Sequence, residues 1–232
     1  MNATTYQRRR GEIETYFDRT AADAWKQLTS DAPLGRIRTT VRAGRDRMRA
    51  TLLSWLPDDL GGRRVLDAGC GTGALAVELA RRGAAVTAID LAGNLVDLAR
   101  ERAPRDLGRG SLDFRTGDML DPALGRFDHV VGMDSLIHYG APDCVRVLEA
   151  LAPRTEHSIL FTFAPRTPPL ALMHAVGRLF PRGDRSPSLQ PLAEADLRRR
   201  IAASPALGGW RTARSLRIKS GFYTSQALEL VR

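Results

Sequence analysis

The chain predicts an α/β fold: a doubly wound, mostly parallel sheet, preceded by two helices and closed by an antiparallel pair of strands. Three observations carry that reading. From Arg64 onward, short apolar runs alternate with helix-length stretches, which is the rhythm of βαβ units. A glycine-rich turn, Gly69-Cys70-Gly71-Thr72-Gly73, lies between the first of those runs and the first of those helices. The two final runs, Trp210–Ile218 and Phe222–Leu230, are joined by so few residues that they must pair antiparallel.

Taken in order, Gly11 to Leu28 sets Ile13, Tyr16, Phe17, Trp25 and Leu28 at helical spacing, with Ala21 and Ala24 filling the gap. A second helix carries Ile37, Val41, Met48, Leu52 and Trp55 on one face, with Arg38, Arg42, Arg45 and Arg49 along its flank. Pro57-Asp58 and Gly61-Gly62 end this part as a loop, so the expected organisation is a helical lid over residues 1–60 and a core over residues 61–232. In the core, a strand at Arg64–Asp67 runs through the glycine turn into a helix at Ala74–Arg82, and a strand at Ala85–Asp90 precedes a helix near Asn94–Arg102. Strands follow near Leu112–Arg115 and at Phe127–Met133, then a helix at Pro142–Leu151, a strand at His157–Phe163, a proline-rich irregular stretch and a helix at Leu192–Ala202.

With 232 residues and 43% of them apolar, the chain suits one domain with its own core and is not a disordered chain. Its longest apolar stretch without charge, Thr167–Gly177, is far short of the roughly 20 residues that span a bilayer. Met1-Asn2-Ala3 leads to Arg8-Arg9-Arg10 with no apolar run behind it, so no signal peptide is read and a cytoplasmic protein is expected. Two cysteines, Cys70 and Cys144, and four histidines without ligand spacing give no expectation of a protein-bound metal. The 35 basic residues exceed the 26 acidic ones by nine, and only Lys26 and Lys219 among them are lysine. That excess reads either as a coding bias toward arginine or as a preference for an anionic partner.

Val65-Leu66-Asp67-Ala68-Gly69-Cys70-Gly71-Thr72-Gly73 ends a strand and opens a helix, where a doubly wound sheet binds nucleotide-like ligands. Glycines let main-chain N–H groups approach the ligand, and the helix N-terminus favours a carboxylate. Asp90 closes the next strand, where a carboxylate can take both hydroxyls of a ribose. Gly69-x-Gly71-x-x-Ala74 also satisfies a loose dinucleotide fingerprint. Against that stand Asp67, which would repel a pyrophosphate but favour a sulfonium and an ammonium, the long segment before Arg64, and the absence of any Tyr-x-x-x-Lys pair. Asp67 to Gly73 resembles motif I of the class I S-adenosylmethionine-dependent methyltransferases. That resemblance implies their Rossmann-like sheet of seven strands with a reversed last strand, and S-adenosylmethionine as methyl donor. It further implies that Asp67, Gly69, Gly71 and Gly73 face the methionine part, Asp90 the ribose, and Asp118 with Met119 the adenine edge. Asp118 can equally be read as a turn-capping acid.

For the methyl acceptor, the stretch after the fourth strand is Met133-Asp134-Ser135-Leu136-Ile137-His138-Tyr139, not the Asn/Asp-Pro-Pro-Tyr/Phe of amine-methylating enzymes. No cysteine sits where pyrimidine C5 chemistry needs a nucleophile, so a nucleic-acid substrate is not expected. His138 lies at the mouth of the sheet, able to accept a proton from an oxygen nucleophile or orient it, or else simply to cap loop backbone. The set Glu14-Thr15-Tyr16-Phe17, Val41-Arg42-Ala43-Gly44-Arg45, Leu53-Ser54-Trp55-Leu56-Pro57 and Asp134 to Tyr139 resembles the magnesium-protoporphyrin IX O-methyltransferases of chlorophyll and bacteriochlorophyll synthesis. The resemblance runs from the N-terminal helices through Gly221-Phe222-Tyr223, with nothing matched between Arg166 and Pro205.

It implies esterification of the ring C (C13) propionate, with magnesium present only inside the porphyrin. His138 would then be a base or an orienting group, and Tyr16 a lid residue over cofactor and propionate, although an aromatic at helical spacing also reads as core. Arg38, Arg42, Arg45 and Arg49 would meet the second propionate or an acidic partner, or form a solvated flank. Pro168–Gly177 would wall the ring or else form a helix buried against the sheet, with His174 either near the porphyrin magnesium or packed as an ordinary histidine. Implied partners are magnesium-protoporphyrin IX itself, the porphyrin-carrying subunit of magnesium chelatase, and photosynthetic membranes through peripheral attachment. A quinone precursor is the alternative acceptor.

Overall fold

The computed structural model describes residues 5–19, 35–166 and 189–232. Two helices come first, α1 (Thr5–Arg19) and α2 (Arg36–Ser54). The units β1 (Arg64–Ala68), α3 (Ala74–Arg81), β2 (Ala85–Asp90), α4 (Gly93–Arg102) and β3 (Ser111–Thr116) follow. Beyond them are β4 (Phe127–Gly132), α5 (Ala141–Leu151), β5 (Thr155–Phe163), α6 (Glu194–Ala203), β6 (Arg211–Ser220) and β7 (Tyr223–Val231). The strands form one seven-stranded sheet in the order β3-β2-β1-β4-β5-β7-β6. β1 to β5 run parallel, and β7 enters between β5 and β6, antiparallel to both. The chain moves outward from β1 to β3 and then returns to β4 on the other side of β1, so the crevice for a ligand opens at the carboxyl ends of β1 and β4.

Alternation along the strands divides the core between two faces. Val65, Val86, Val131 and Leu160 pack with Met48 and Leu52 of α2 and with Leu75, Ala76 and Leu79 of α3. Leu66, Val130, Ile159 and Phe161 face the other way, onto Val147, Leu148 and Leu151 of α5 and Leu197 and Ile201 of α6. β7 is buried along nearly its whole length, with Leu228 and Leu230 in the cluster on one face and Tyr223 and Ala227 in the cluster on the other. The β6–β7 hairpin turns on Gly221 and Phe222, since Ser220 pairs with Tyr223. Gly221 has φ +56°, the left-handed conformation suited to the first position of a II′ turn. A Cβ there would fall 2.2 Å from Thr40 Oγ1, so the turn rests directly on α2.

The first helix differs from its expected range. It begins at Thr5, six residues before Gly11, through a run that includes Arg8, Arg9 and Arg10. Tertiary contact explains the early start: the Tyr6 ring stacks on Tyr139 at 5.2 Å, and Arg10 pairs with Asp118 at 2.9 Å. Trp25, Leu28 and the Thr167–Gly177 segment with His174 lie outside the described residues, as does the side chain of Phe17. No described helix is long and apolar enough to cross a membrane.

Candidate active site

The carboxyl ends of β1, β2 and β4, together with α1 and α2, enclose a cavity of about 670 Å³. Its floor is the glycine loop between β1 and α3. Gly69 and Cys70 donate their N–H groups to the Ile89 carbonyl at 2.8 and 3.0 Å, which ties the loop to β2. Gly69 and Gly73 have φ +87° and +79°, a region that costs a side-chain-bearing residue about 1 kcal/mol or more. Each is also crowded: a Cβ on Gly69 would come 2.4 Å from Ser135 Cβ, and one on Gly73 would come 2.9 Å from the Phe114 ring. Gly69 and Gly71 line the cavity, whereas Gly73 packs against β3 and caps α3 from behind.

Asp67, at the end of β1, is 1% exposed and lines the same cavity. Its Oδ2 has no hydrogen-bond partner. Burial, with the neighbouring Asp90 charge adding to it and the Ala76 N–H opposing it, pushes its pKa up to about 7. A buried carboxylate with an open acceptor is a receptor for a cation, and S-adenosylmethionine carries two, its sulfonium and its ammonium. Asp90 accepts from Gly71 N–H at 2.8 Å through Oδ2 and from Ala92 N–H at 3.0 Å through Oδ1. Asp90 also lines the cavity, where a carboxylate is a suitable acceptor for a ribose hydroxyl. Asp90→Ala is therefore expected to weaken S-adenosylmethionine binding about tenfold or more in a calorimetric titration, since it removes that acceptor and the Gly71 clamp.

Ile89, Leu91, Leu95 and Met119 give the cavity an apolar side suited to a flat base. Asp118, expected at the adenine edge, sits between the lining residues Gly117 and Met119, with its carboxylate hydrogen-bonded to α1. Its Oδ1 accepts from Tyr6 Oη at 2.8 Å and from Leu120 N–H at 2.9 Å, while Oδ2 takes the Arg10 guanidinium at 2.9 Å. It caps its turn and fastens α1 to the core, which brings Ile13 and Tyr16 over the cavity.

The loop from Met133 to Gly140 forms the opposite wall, with Ser135, Ile137, His138 and Tyr139 lining it. His138 is 5% exposed. The structure thus brings Tyr16, His138, Asp67, Gly69, Gly71, Asp90 and Met119 to one cavity. Arg38, Arg42, Arg45 and Arg49 of α2 line it too, which gives the arginine row a place in the site. Arg49 also pairs with Asp46 at 2.8 Å. Cys70 lines the cavity as a thiol, held protonated because burial and the charges of Asp67 and Asp90 push its pKa well up. Burial likewise pushes Cys144 up to about 12, so neither cysteine is a ready nucleophile.

Sequence reasoning missed Tyr6 and Arg10 as anchors of α1, and Asp134 as a junction between elements. The spacing of Tyr6 to Ile13, two helical turns on one face, was a signal available for the first.

Comparison with known proteins agrees with this fold. Residues 132–232 match the family model described as magnesium-protoporphyrin IX methyltransferase C-terminus, and residues 65–156 match a general methyltransferase domain. The magnesium-protoporphyrin O-methyltransferase of Rhodobacter capsulatus is 52% identical over 221 residues, covering 95% of each chain. The chloroplastic magnesium protoporphyrin IX methyltransferase of Arabidopsis thaliana is 31% identical over 94% of this chain and 70% of its own. Among solved structures, magnesium protoporphyrin IX methyltransferase from Synechocystis PCC 6803 with bound SAH superposes with a TM-score of 0.81 at 30% identity, covering 95% of this chain and 98% of that one. With 52% identity over 221 aligned residues that cover 95% of the R. capsulatus protein, the chain belongs to the magnesium-protoporphyrin O-methyltransferase family of class I methyltransferases.

Proposed function

We propose that this chain transfers the methyl group of S-adenosylmethionine to the ring C propionate (C13) of magnesium-protoporphyrin IX and releases the monomethyl ester. The observation that carries the reading is one cavity lined by charges of both signs: the buried carboxylate of Asp67 beside the glycine loop, and the arginine row of α2. The carboxylate suits the cationic methyl donor, and the arginines suit a dianionic acceptor.

S-adenosylmethionine supplies a sulfonium methyl that a carboxylate oxygen attacks in line with the sulfur, so that a C–O bond forms, the C–S bond breaks, and the electron pair stays on sulfur as a neutral thioether. Asp67 and the Gly69–Gly71 backbone hold the methionine part, Asp90 the ribose, and Met119 the base. A propionate ionised at neutral pH has no proton to lose, so His138 contributes by hydrogen-bonding one carboxylate oxygen and fixing the direction of the other. Tyr16, from α1, covers the site and excludes water, which would otherwise solvate the nucleophile. Arg38, Arg42 and Arg49 hold the second propionate and keep it away from the methyl. Magnesium arrives with the substrate. The same basic helix would be the element to meet the porphyrin-carrying chelatase subunit or an anionic membrane surface.

The test is acceptor discrimination with the purified protein. Magnesium-protoporphyrin IX should be methylated, its dimethyl ester should be inert and bind weakly, and a catechol quinone precursor should be inert. Methylation of the catechol in preference to the porphyrin would overturn the reading.

A further inference from the structure

Two irregularities meet at one point in this fold. α2 carries a glycine at its middle, Gly44, where glycine costs a helix about 1 kcal/mol relative to alanine. Asp134 has φ +57°, the only non-glycine residue with positive φ among those described. At Gly44, a Cβ would lie 2.5 Å from Cδ1 of the Tyr223 ring, so the missing side chain is what lets that ring lie against the helix. From there the Tyr223 hydroxyl reaches Asp134, 3.1 Å from Oδ1 and 3.2 Å from Oδ2. Arg45, the residue after Gly44, donates to Asp134 Oδ2 at 2.7 Å.

Two more residues close on the same carboxylate. Thr162 of β5 accepts from the Asp134 N–H at 2.7 Å and donates to Oδ1 at 3.1 Å, and Ser225 of β7 donates to Oδ1 at 3.1 Å. Burial and the Asp134 charge push the Tyr223 hydroxyl well above the ordinary tyrosine range, so it stays a donor. The left-handed turn fixed by these bonds is the point where β4 ends and the loop bearing His138 begins. Tyr223 itself does not line the cavity.

We infer that Tyr223 and Arg45 are positioning residues for the transfer reaction. Through Asp134 they hold the loop in the turn that places His138, and they fix the α2 arginine row at a set separation from it. The inference rests on the proposed reaction for its kinetic readout. Arg45 pairs with Asp134 of the loop, whereas Arg49 pairs with Asp46 of its own helix.

Tyr223→Phe keeps the ring packing and removes the hydroxyl alone. It should lower kcat about tenfold, leave S-adenosylmethionine affinity within about twofold, and leave the melting temperature within a few degrees. Asp134→Asn should lower kcat further, and the double variant should be no slower than Asp134→Asn alone. Amide exchange over residues 134–139 should quicken in Tyr223→Phe. If Tyr223→Phe does not fold, Arg45→Lys, which keeps the charge but loses the planar fork, should show the same pattern. A kcat within twofold of the wild type, or effects that simply add in the double variant, would overturn the inference. Should the wild-type protein fail to methylate the porphyrin, the proposed function falls and the exchange measurement decides alone, with unchanged protection over 134–139 overturning the positioning role.

Discussion

Replacing His138 with alanine is expected to lower turnover about a hundredfold or more while S-adenosylmethionine affinity stays within about twofold. The split follows from where the residue sits. His138 is buried and lines the cavity on the loop after β4, whereas the groups suited to hold the cofactor belong to β1, β2 and the glycine loop between them. A hydrogen bond that fixes one carboxylate oxygen acts mainly on the geometry of attack, and misplaced attack is expensive in rate. His138→Gln separates orientation from proton transfer, because an amide donates a hydrogen bond without acting as a base at neutral pH. An orienting role predicts that glutamine recovers at least about tenfold of the alanine loss, measured in single-turnover transfer. Full activity in His138→Ala would remove the residue from the reaction.

Asp67→Asn is the second large effect, and it acts on the cofactor and on stability in opposite directions. With its pKa pushed to about 7 in the unliganded protein, Asp67 must be ionised to receive a cation. S-adenosylmethionine affinity should therefore rise with pH toward about 7 and level off above it. The stability sign is the reverse. A carboxyl whose folded pKa is raised binds its proton more tightly folded than unfolded, so its contribution favours the fold at low pH and is lost as pH rises from the unfolded value of 3.8 to about 7. At pH 8 the unliganded wild type carries that loss, of the order of a few kcal/mol, and asparagine does not. Melting curves at pH 8 should show Asp67→Asn equal to or more stable than the wild type without cofactor. Saturating S-adenosylmethionine should raise the wild-type melting temperature and barely move that of the variant. A variant that still gains the full cofactor shift would contradict the cation site.

The fold was legible in the sequence wherever hydrophobic period and chain length act locally. Arg64 to Asp67 and Phe127 to Met133 read as strands because their apolar residues are covered by helices on both faces, and the short hairpin at Gly221-Phe222 left β6 and β7 no choice but to pair antiparallel. That Asp67, Gly69, Gly71 and Asp90 would meet at one cavity was legible for the same reason, since they sit at fixed distances from strand ends. What stayed hidden depended on long-range meetings. Asp118 looks identical in sequence whether it faces a ligand or anchors a helix 112 residues away, and only the docking of Tyr6 settles its contacts. Arg45 reads as one more arginine on a basic flank until Asp134, 89 residues later, turns into the left-handed conformation to meet it. Gly44 was the local sign of that junction, a helix-weakening residue with no capping role.

The central claim is that the cavity joins a cationic methyl donor to a carboxylate of a magnesium porphyrin. Its most direct measurement is to incubate the purified protein with methyl-labelled S-adenosylmethionine and magnesium-protoporphyrin IX, then resolve the pigments by chromatography with mass detection. One label per porphyrin, released by mild ester hydrolysis, is the predicted result. Cofactor bound but no label in any porphyrin ester would contradict it.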